Sequence, residues 1–316
     1  MLQAGKEDFI DTKMTMSQPA IQVFGLGQCC LDYIGRIKSY PQPDRKCEFS
    51  DLVIQGGGPV ASALVALAKW GVSCAFGGIR GDDLFGNIIR HSLEEAGIDI
   101  RGLVVRKGYG SQFAFIAAEP GIGRRTIFWR KSTGPPLRPE EIDYSMIERA
   151  RIFHTDGSFE SATLAACQAA RKAGALVVVD ADTFHEGLIE MAEWSDYFIA
   201  SEDFADSFLK EKNPMEACRR IAKLGPRVAG VTLGPKGYVA LAQGRTIEKP
   251  AYPVEPVDTT GCGDVFHAGF IYGLIRAWDY EKSLDFAAWS AAMVSLKMGG
   301  RSGIPSRKQI EEKGFE

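Results

Sequence analysis

The sequence predicts an α/β protein whose main sheet is mostly parallel and covered by helices on both faces, with a small second sheet beside it. Strand and helix patterns alternate strictly after residue 139, and the segment 177–179 is wholly apolar, as buried parallel strands are. Segments nearer the start alternate polar and apolar residues, which is typical of one-sided antiparallel strands. Ligands of such a fold bind at the carboxyl ends of the parallel strands.

The first 140 residues contain the patterns that predict the small sheet. Residues 1–20 mix charges without an apolar core, and we expect a loose extension there, ahead of a main domain at 21–316. We assign 29–56 and 109–132 to a lid beside the main body. The patterns predict strands at 21–26, 46–54, 73–77, 112–118 and 126–130, a hairpin turn at 121–123, and helices at 60–70 and 87–96.

The remainder of the chain predicts the parallel sheet and its helices. Asn213-Pro214 is a typical helix start, because proline is tolerated in the first turn. The predicted strands are 150–154, 176–179, 197–200, 228–233 and 238–242. The predicted helices are 161–173, one after residue 179, one beginning at 213–214, 262–277 and 283–298.

Composition excludes several classes of protein. The 316 residues carry 37 Lys and Arg against 40 Asp and Glu, a net charge of -3, so we expect no nucleic-acid partner. No apolar run approaches the ~20 residues of a membrane span, so we expect no membrane partner. Seven cysteines without a C-x-x-C pair suit a reducing compartment, which predicts a cytoplasmic protein.

Two common nucleotide motifs are missing. Gly25-Leu26-Gly27 follows the first predicted strand, but the third glycine of a dinucleotide fingerprint is replaced by Cys30. No stretch has the G-x-x-x-x-G-K-[ST] pattern of a P-loop. A bound nucleotide must therefore be held by another device.

The strongest chemical signal is Asp-Thr-Thr-Gly-Cys-Gly-Asp at 258–264, directly before an apolar helix. Gly261 and Gly263 let the backbone turn its N–H groups toward one point, and a helix N-terminus adds about half a positive charge. This arrangement predicts an anion pocket for a transferring phosphoryl group. Asp264 is placed to take a proton from a substrate hydroxyl, and the helix dipole should lower its pKa so that it stays ionised. The alternative is a glycine-rich loop in which Asp264 only caps the helix.

Three ordered motifs resemble the signatures of the ribokinase-like (PfkB) carbohydrate kinases. They are 258–269, Gln-Gly-Gly-Gly-Pro-Val-Ala-Ser-Ala at 55–63, and Gly-Asp-Asp-Leu-Phe-Gly at 81–86. The resemblance runs from about 21 to 305, and the ending Gly-Gly-Arg-Ser-Gly-Ile-Pro looks most like the ketohexokinase and sulfofructose kinase branch. It implies a ribokinase-like three-layer sandwich with a lid, and ATP-dependent phosphorylation of a sugar hydroxymethyl group.

The resemblance also implies roles for the residues at the centre of the reaction. Asp264 would be the catalytic base, and the amides of Gly261, Cys262 and Gly263 would form the anion hole. Cys262 stands where the family usually has alanine, so we expect its thiol to be a packed side chain rather than a nucleophile.

On the sugar side, the resemblance implies that Asp32 accepts sugar hydroxyls and that Gly57 and Gly58 allow close approach of the sugar to the backbone. Lys46 and Trp129 fall on predicted lid strands and are candidates to face the sugar, Lys46 toward an anionic substituent; an exposed strand lysine is the alternative. The sulfofructose branch is expected to carry a basic residue after 152–154, where this chain has Thr-Asp-Gly-Ser. Whether the substrate carries an anionic group stays open.

On the nucleotide side, the segment 232–237 matches the family's T-x-G-x-x-G strand–turn–strand, so Thr232, Gly234 and Gly237 are expected to contact ATP. An ordinary hairpin is the alternative. His267 stands where relatives often have asparagine, and it either touches ATP or packs.

The metal ions leave weaker signals. The family's N-x-x-E segment reads Ser201-Glu202-Asp203-Phe204, so we expect Ser201 and Asp182 near the nucleotide and Glu202 to hold Mg²⁺ through water. Asp258 and Thr260 match positions whose backbone helps to hold a monovalent cation, K⁺, in many members of the family.

These inferences favour a sugar kinase that transfers the γ-phosphate of ATP to a primary hydroxyl of a ketose. We expect a homodimer through the lid, because a small open sheet is poorly stable alone. A nucleoside kinase of the same fold is the nearest alternative, with Phe113, Phe115 or Trp129 available to stack a base. A non-catalytic sugar- or nucleotide-binding regulator is the other, suggested by Ala61 and Phe204 at positions where the family has Asn and Glu.

Overall fold

Two β-sheets of different size organise the chain in a computed structural model, which describes residues 21–119, 124–182, 185–208, 210 and 212–315. The predicted extension at 1–20 and the predicted turn at 121–123 lie outside the described residues. The strands are β1 Ile21–Leu26, β2 Cys30–Arg36, β3 Asp51–Gly57, β4 Cys74–Gly81, β5 Asp99–Arg106, β6 Phe113–Glu119, β7 Arg124–Arg130, β8 Ala150–Thr155, β9 Leu176–Ala181, β10 Tyr197–Ser201, β11 Val228–Thr232, β12 Tyr238–Ala242 and β13 Arg245–Lys249.

The main sheet has nine strands in the order β13-β12-β11-β10-β9-β8-β1-β4-β5. The pairs from β11 through β5 are parallel, and the β11–β12 and β12–β13 pairs are antiparallel. The helices are α1 Pro59–Lys69, α2 Leu84–Glu95, α3 Tyr144–Glu148, α4 Glu160–Ala173, α5 Gly187–Glu193, α6 Glu202–Phe208, α7 Pro214–Ala222, α8 Cys262–Ile275, α9 Tyr280–Val294 and α10 Arg307–Lys313.

The helices cover the main sheet in two layers, and alternating strand residues divide the core between them. Val23 and Ile152 pack on the side of α1, α8 and α9, whereas Phe24 and Phe153 pack on the side of α3 through α7. The result is a three-layer sandwich, as the sequence predicts. Within the described residues, no helix has the length and apolar character that crossing a membrane requires.

The second sheet has four strands in the order β3-β2-β6-β7, and all four lie within or beside the two segments assigned to the lid. Its inner face carries Ile34, Ala114 and Ile116, which are buried against Met298 and Val257 of the main body. The sheet therefore stands over the segment that precedes α8. We call it the lid sheet.

Several predicted elements were displaced or missing. The strand predicted at 46–54 is β3 at Asp51–Gly57, and Lys46 lies in the exposed irregular segment before it, so its assignment to a strand was wrong. Pro41 and Pro43 keep the preceding chain out of regular structure. Strands β2, β5 and β13 and helices α3, α6 and α10 were not predicted. The edge strands β5 and β13 are partly exposed and lack a continuous apolar pattern, and the three helices, of five to seven residues each, are too short to show a helical period.

Candidate active site

The start of α8 presents backbone amides that are not used up by hydrogen bonds among the described residues. Gly261 caps the helix with φ of 77°, and a Cβ there would lie 2.5 Å from the Cα of Gly300, so only glycine fits. The Cys262 amide makes one long bond of 3.3 Å to the Thr259 carbonyl. In the described part of the chain, the amides of Gly261 and Gly263 donate to no carbonyl or side chain. Gly263 is exposed, with open space around its Cα, so the amides at the head of the helix are available to an anion.

Asp264 lies in the first turn of α8, half-buried beside these amides. Burial, then the carboxyls of Asp180, Asp182 and Asp32, raise the pKa of Asp264 to about 7, although His267 opposes the change. The expectation that the helix dipole would lower this pKa was wrong, because desolvation and like charges outweigh the dipole. A carboxyl with a pKa near neutrality is matched to general-base work.

His267 contacts the backbone of the first turn of α8. Its Nδ1 lies 2.9 Å from the carbonyl of Gly263 and its Nε2 lies 3.3 Å from the carbonyl of Ile199. Nδ1 is also 3.4 Å from Oδ2 of Asp180, and burial raises the pKa of Asp180 while lowering the pKa of His267. Both ring nitrogens face protein oxygens, which favours the packing alternative for His267 over a contact with ATP.

The loop before α8 is fixed by its own side chains. Oδ1 of Asp258 accepts hydrogen bonds from the amide and hydroxyl of Thr260 at 2.9 and 2.7 Å. Oδ2 accepts the Gly299 amide at 2.8 Å, and the Ser295 carbonyl accepts the Asp258 amide at 3.2 Å. The side chain of Asp258 therefore serves the loop, and only backbone carbonyls remain for a cation there.

Cys262 is partly buried and packs against the core on the side of α1, α8 and α9. Burial raises its pKa to about 12, so the thiol keeps its proton at neutral pH. Its contribution to the site is the backbone amide.

The sugar-side prediction centres on Asp32, which is 6% exposed in β2. The Cys30 thiol donates to Oδ1 of Asp32 at 3.0 Å. Burial raises the pKa of Asp32, while Cys30 and Arg301 oppose the change. A Cβ on Gly57 would lie 2.0 Å from Oδ2, so this glycine makes room for the carboxylate. The charge of Asp32 is one of the influences that raise the pKa of Asp264.

The other sugar-side candidates, Gly58, Trp129 and Lys46, lie in different surroundings. Gly58 has φ of 97° and a Cβ there would lie 2.4 Å from the Gln28 carbonyl, so the backbone itself requires glycine. Asp32, Ala114 and Trp129 occupy one cross-strand row of the lid sheet, so the half-exposed Trp129 points to the same face as Asp32. Lys46 is exposed and off the strand.

The nucleotide-side turn has the predicted form. β11 ends at Thr232, the turn Gly234–Lys236 follows, and β12 returns antiparallel. The Thr232 hydroxyl lies 3.4 Å from the Ala200 carbonyl. Gly237 has φ of 104° and packs against the Lys249 carbonyl, whereas the space beside Gly234 is open.

The expected magnesium residues are engaged by the protein. Ser201 caps α6 by accepting the Phe204 amide at 2.9 Å and donates to the Asp182 carbonyl at 3.2 Å. Glu202 forms a 2.8 Å ion pair with Lys236. Phe204, which stands where the family has glutamate, is fully buried and packs against Phe198. This position therefore contributes no carboxylate to the site. Among the described residues, no three His, Cys, Asp or Glu side chains gather as a direct metal site.

Three residues near the site were not predicted. Asp156, at the end of β8, accepts the amides of Gln28 and Ser158 at 2.8 and 3.0 Å. Arg125 of β7 donates to the Thr259 hydroxyl at 2.6 Å and so joins the lid sheet to the catalytic loop. Arg301 is partly buried behind Gly56 and donates to the Gly57 carbonyl. Hydrogen bonds between residues distant in sequence leave no local pattern, and of the three only Arg301 lies inside a motif that the sequence analysis quotes.

The comparisons with known proteins agree with this geometry. Residues 21–307 match the profile of the pfkB family carbohydrate kinases. The chain belongs to this family. It is 26% identical over 310 residues to a 5-dehydro-2-deoxygluconokinase of Shouchella clausii, covering 92% of this chain and 94% of that one. It is 26% identical over 312 residues to fructokinase-2 of Zea mays, covering 90% and 91%.

Solved structures agree on the fold. An Arabidopsis thaliana ribokinase complexed with ribose and ATP superposes with a TM-score of 0.77 at 22% identity, covering 93% of this kinase and 98% of that chain. The ribokinase-like fold and the assignment to sugar kinases, which are phosphotransferases, are confirmed.

Proposed function

We propose that this pfkB kinase transfers the γ-phosphate of ATP to a primary hydroxyl of a ketose in its furanose form. The observation that carries the proposal is the head of α8, where the amides of Gly261 and Gly263 have no partner among the described residues and Asp264 lies in the same turn. The fructokinase among the relatives supports a ketose substrate.

In the proposed reaction, Asp32 accepts hydrogen bonds from sugar hydroxyls and turns the primary hydroxyl toward Asp264. Asp264 takes the proton of that hydroxyl as the new oxygen–phosphorus bond forms and the bond from phosphorus to ADP breaks. The amides of Gly261, Cys262 and Gly263 stabilise the negative charge on the transferring phosphoryl group. A pKa near 7 lets Asp264 accept this proton at neutral pH.

The nucleotide and its metal fit this arrangement. The free amides at the helix N-terminus suit a polyphosphate, and the exposed carboxylate of Asp182 stands at the end of β9 on the same edge of the main sheet. Mg²⁺ would supply charge neutralisation between the phosphates, held mainly by them and by water near Asp182 and Glu202. K⁺ would be held by backbone carbonyls near Asp258 and Thr260.

We further propose that segments 29–56 and 109–132 act as a lid and that two copies meet through it. The outer face of the lid sheet carries a row formed by Ile54, Tyr33, Phe115 and Phe128, of which Ile54 and Phe128 are about half exposed. An exposed apolar row of this kind favours burial against a second copy. A cytoplasmic location fits the seven free cysteines.

The nucleoside-kinase alternative loses part of its support. Phe113 and Phe115 occupy rows that alternate with the Asp32 row, so they point away from the pocket, and Trp129 alone of the three faces it. We therefore favour the sugar.

The test is turnover. ATP consumption with Mg²⁺ is measured against ketoses, aldoses, sugar acids and nucleosides, with D-fructose as the first probe. Ketose phosphorylation supports the proposal. Turnover of nucleosides alone would discard it, and binding without turnover would indicate a regulator.

A further inference from the structure

A run of glycines lies between a buried anion and a partly buried cation. The carboxylate of Asp32 lies against one face of β3, where a Cβ on Gly57 would be 2.0 Å from its Oδ2. The guanidinium of Arg301 lies against the other face, where a Cβ on Gly56 would be 2.6 Å from its Nη1. Neighbouring residues of a strand point to opposite faces, so the two charges lie on opposite faces of β3 at Gly56–Gly57.

Arg301 has no anionic partner of its own. Its Nε donates to the Ser62 hydroxyl at 3.2 Å, its Nη1 to the Ser92 hydroxyl at 3.4 Å, and its Nη2 to the Gly57 carbonyl at 3.3 Å. All three acceptors are neutral, and the described residues place no carboxylate oxygen within 4.0 Å of the guanidinium. A buried guanidinium keeps its proton and is costly unless a nearby negative charge compensates it.

Asp32 provides that charge across the strand. It is the largest electrostatic influence that stabilises protonated Arg301, and Arg301 in turn lowers the pKa that burial raises at Asp32. The other ionisable groups that face Asp32 are the Cys30 thiol, Asp258 and Asp264, and none of them is a cation. Without Arg301, Asp32 would be a buried carboxyl among like charges.

We propose that Arg301 is a positioning residue of the sugar site, which holds the Gly56–Gly57 backbone from behind and keeps the Asp32 carboxylate charged and fixed for sugar hydroxyls. Arg301 touches neither sugar nor ATP, because β3 lies between it and the pocket. This role rests on the proposed function of Asp32.

Steady-state kinetics separates this role from a general structural one. The variants are Arg301→Gln and Arg301→Lys, with Arg90→Gln as the control, because Arg90 is a surface arginine of α2 paired with Glu94. With D-fructose as probe, or the sugar that turns over in the panel, Arg301→Gln is expected to raise the sugar KM about tenfold or more and leave the ATP KM within about twofold. The acidic limb of kcat/KM for the sugar should also move up, since loss of the cation disfavours the carboxylates of both Asp32 and Asp264.

The lysine variant and the control complete the kinetic test. Arg301→Lys keeps the charge but loses the three hydrogen bonds of the guanidinium. It should therefore restore the wild-type pH profile and only part of the loss in sugar KM. Arg90→Gln should match the wild type. An unchanged sugar KM in Arg301→Gln, or an equal rise in both KM values, would overturn the proposal.

A second measurement needs no sugar. Urea unfolding is compared for the wild type, Arg301→Gln, Asp32→Asn and the double variant. Arg301→Gln should lower the urea midpoint in the wild-type background and lower it less, or raise it, in the Asp32→Asn background. Equal losses in both backgrounds would refute the pairing. If the wild type phosphorylates no sugar, the proposed function fails while this cycle still decides whether Asp32 and Arg301 are coupled.

Discussion

Replacement of Asp264 by asparagine separates the catalytic use of this carboxyl from its cost to the fold. The pKa of Asp264 is raised from 3.8 to about 7, chiefly by burial. Each pKa unit corresponds to about 1.4 kcal/mol between protonation states, so ionising Asp264 destabilises the folded protein by up to about 4 kcal/mol at alkaline pH. The amide of the Asp264→Asn variant keeps the shape of the carboxyl but cannot ionise.

The direction of the pH dependence follows from linkage. Between pH about 4 and 7 the folded chain binds this proton more tightly than the unfolded chain, so the unfolding free energy of the wild type falls as pH rises through that window. Asp264→Asn should therefore match the wild type near pH 4 and exceed its stability increasingly up to pH about 7, after which the difference stays constant. Its kcat should fall about 10²- to 10⁴-fold, the usual contribution of a general base.

Urea unfolding at pH 5, 7 and 9 and kinetics with saturating ATP give the two readouts. Asp206→Asn, an exposed carboxylate of α6, is the matched control and should change neither. A variant that keeps kcat within tenfold would refute the catalytic role of Asp264. A stability difference that does not grow between pH 5 and 7 would show that the Asp264 carboxyl ionises without cost in the folded state, and the raised pKa would be refuted.

Three further perturbations test other parts of the structure. Arg125→Ala removes the hydrogen bond to Thr259, and it should raise KM several-fold with little change in Tm, as steady-state kinetics and thermal unfolding will show. Ile54→Asp puts a charge in the outer row of the lid sheet, so light scattering should find monomers; an unchanged dimer would exclude this face. Glu141→Gln breaks the ion pair with the largely buried Arg106 and should cost about 1–3 kcal/mol in urea unfolding at pH 7. Because this pair holds the pKa of Glu141 at about 2, down from 4.5, the difference should shrink as pH falls from about 5 to 2, and a constant difference would contradict it.

The architecture was predictable where burial imposes a period on the sequence. The apolar run at 177–179 correctly predicted β9, and the small residues after Pro59 correctly predicted α1, because both elements are largely buried. β5 and β13 lie at the two edges of the main sheet, where one side of a strand has no partner strand, and their sequences carry no strong pattern. The segment around Lys46 was wrongly predicted as a strand, because its polar and apolar residues alternate as in a strand although the segment is exposed.

The site was predictable only where its parts are contiguous in sequence. The amides of 261–263 and Asp264 belong to one turn, so local geometry is enough to place them together. The pKa of Asp264 is not a local property, since it depends on the depth of the pocket and on carboxyls that β2 and β9 bring to it. The same reason kept Arg125 and Arg301 from being assigned roles, because their contacts exist only after the lid sheet and the carboxyl-terminal segment have docked.

The glycines at 56–58 show how a substrate motif can have a structural cause. From the sequence, they were expected to let a sugar approach the backbone closely. In the structure each has a protein neighbour where a side chain would stand: Arg301 behind Gly56, the Asp32 carboxylate over Gly57, and the Gln28 carbonyl beside Gly58. The glycines therefore make room for the Arg301 guanidinium on one face of β3 and the Asp32 carboxylate on the other. On the proposed function, the position of that carboxylate then shapes the sugar pocket. On this account, substrate choice depends on Arg301 and the surroundings of Asp32 as well as on the residues that line the pocket.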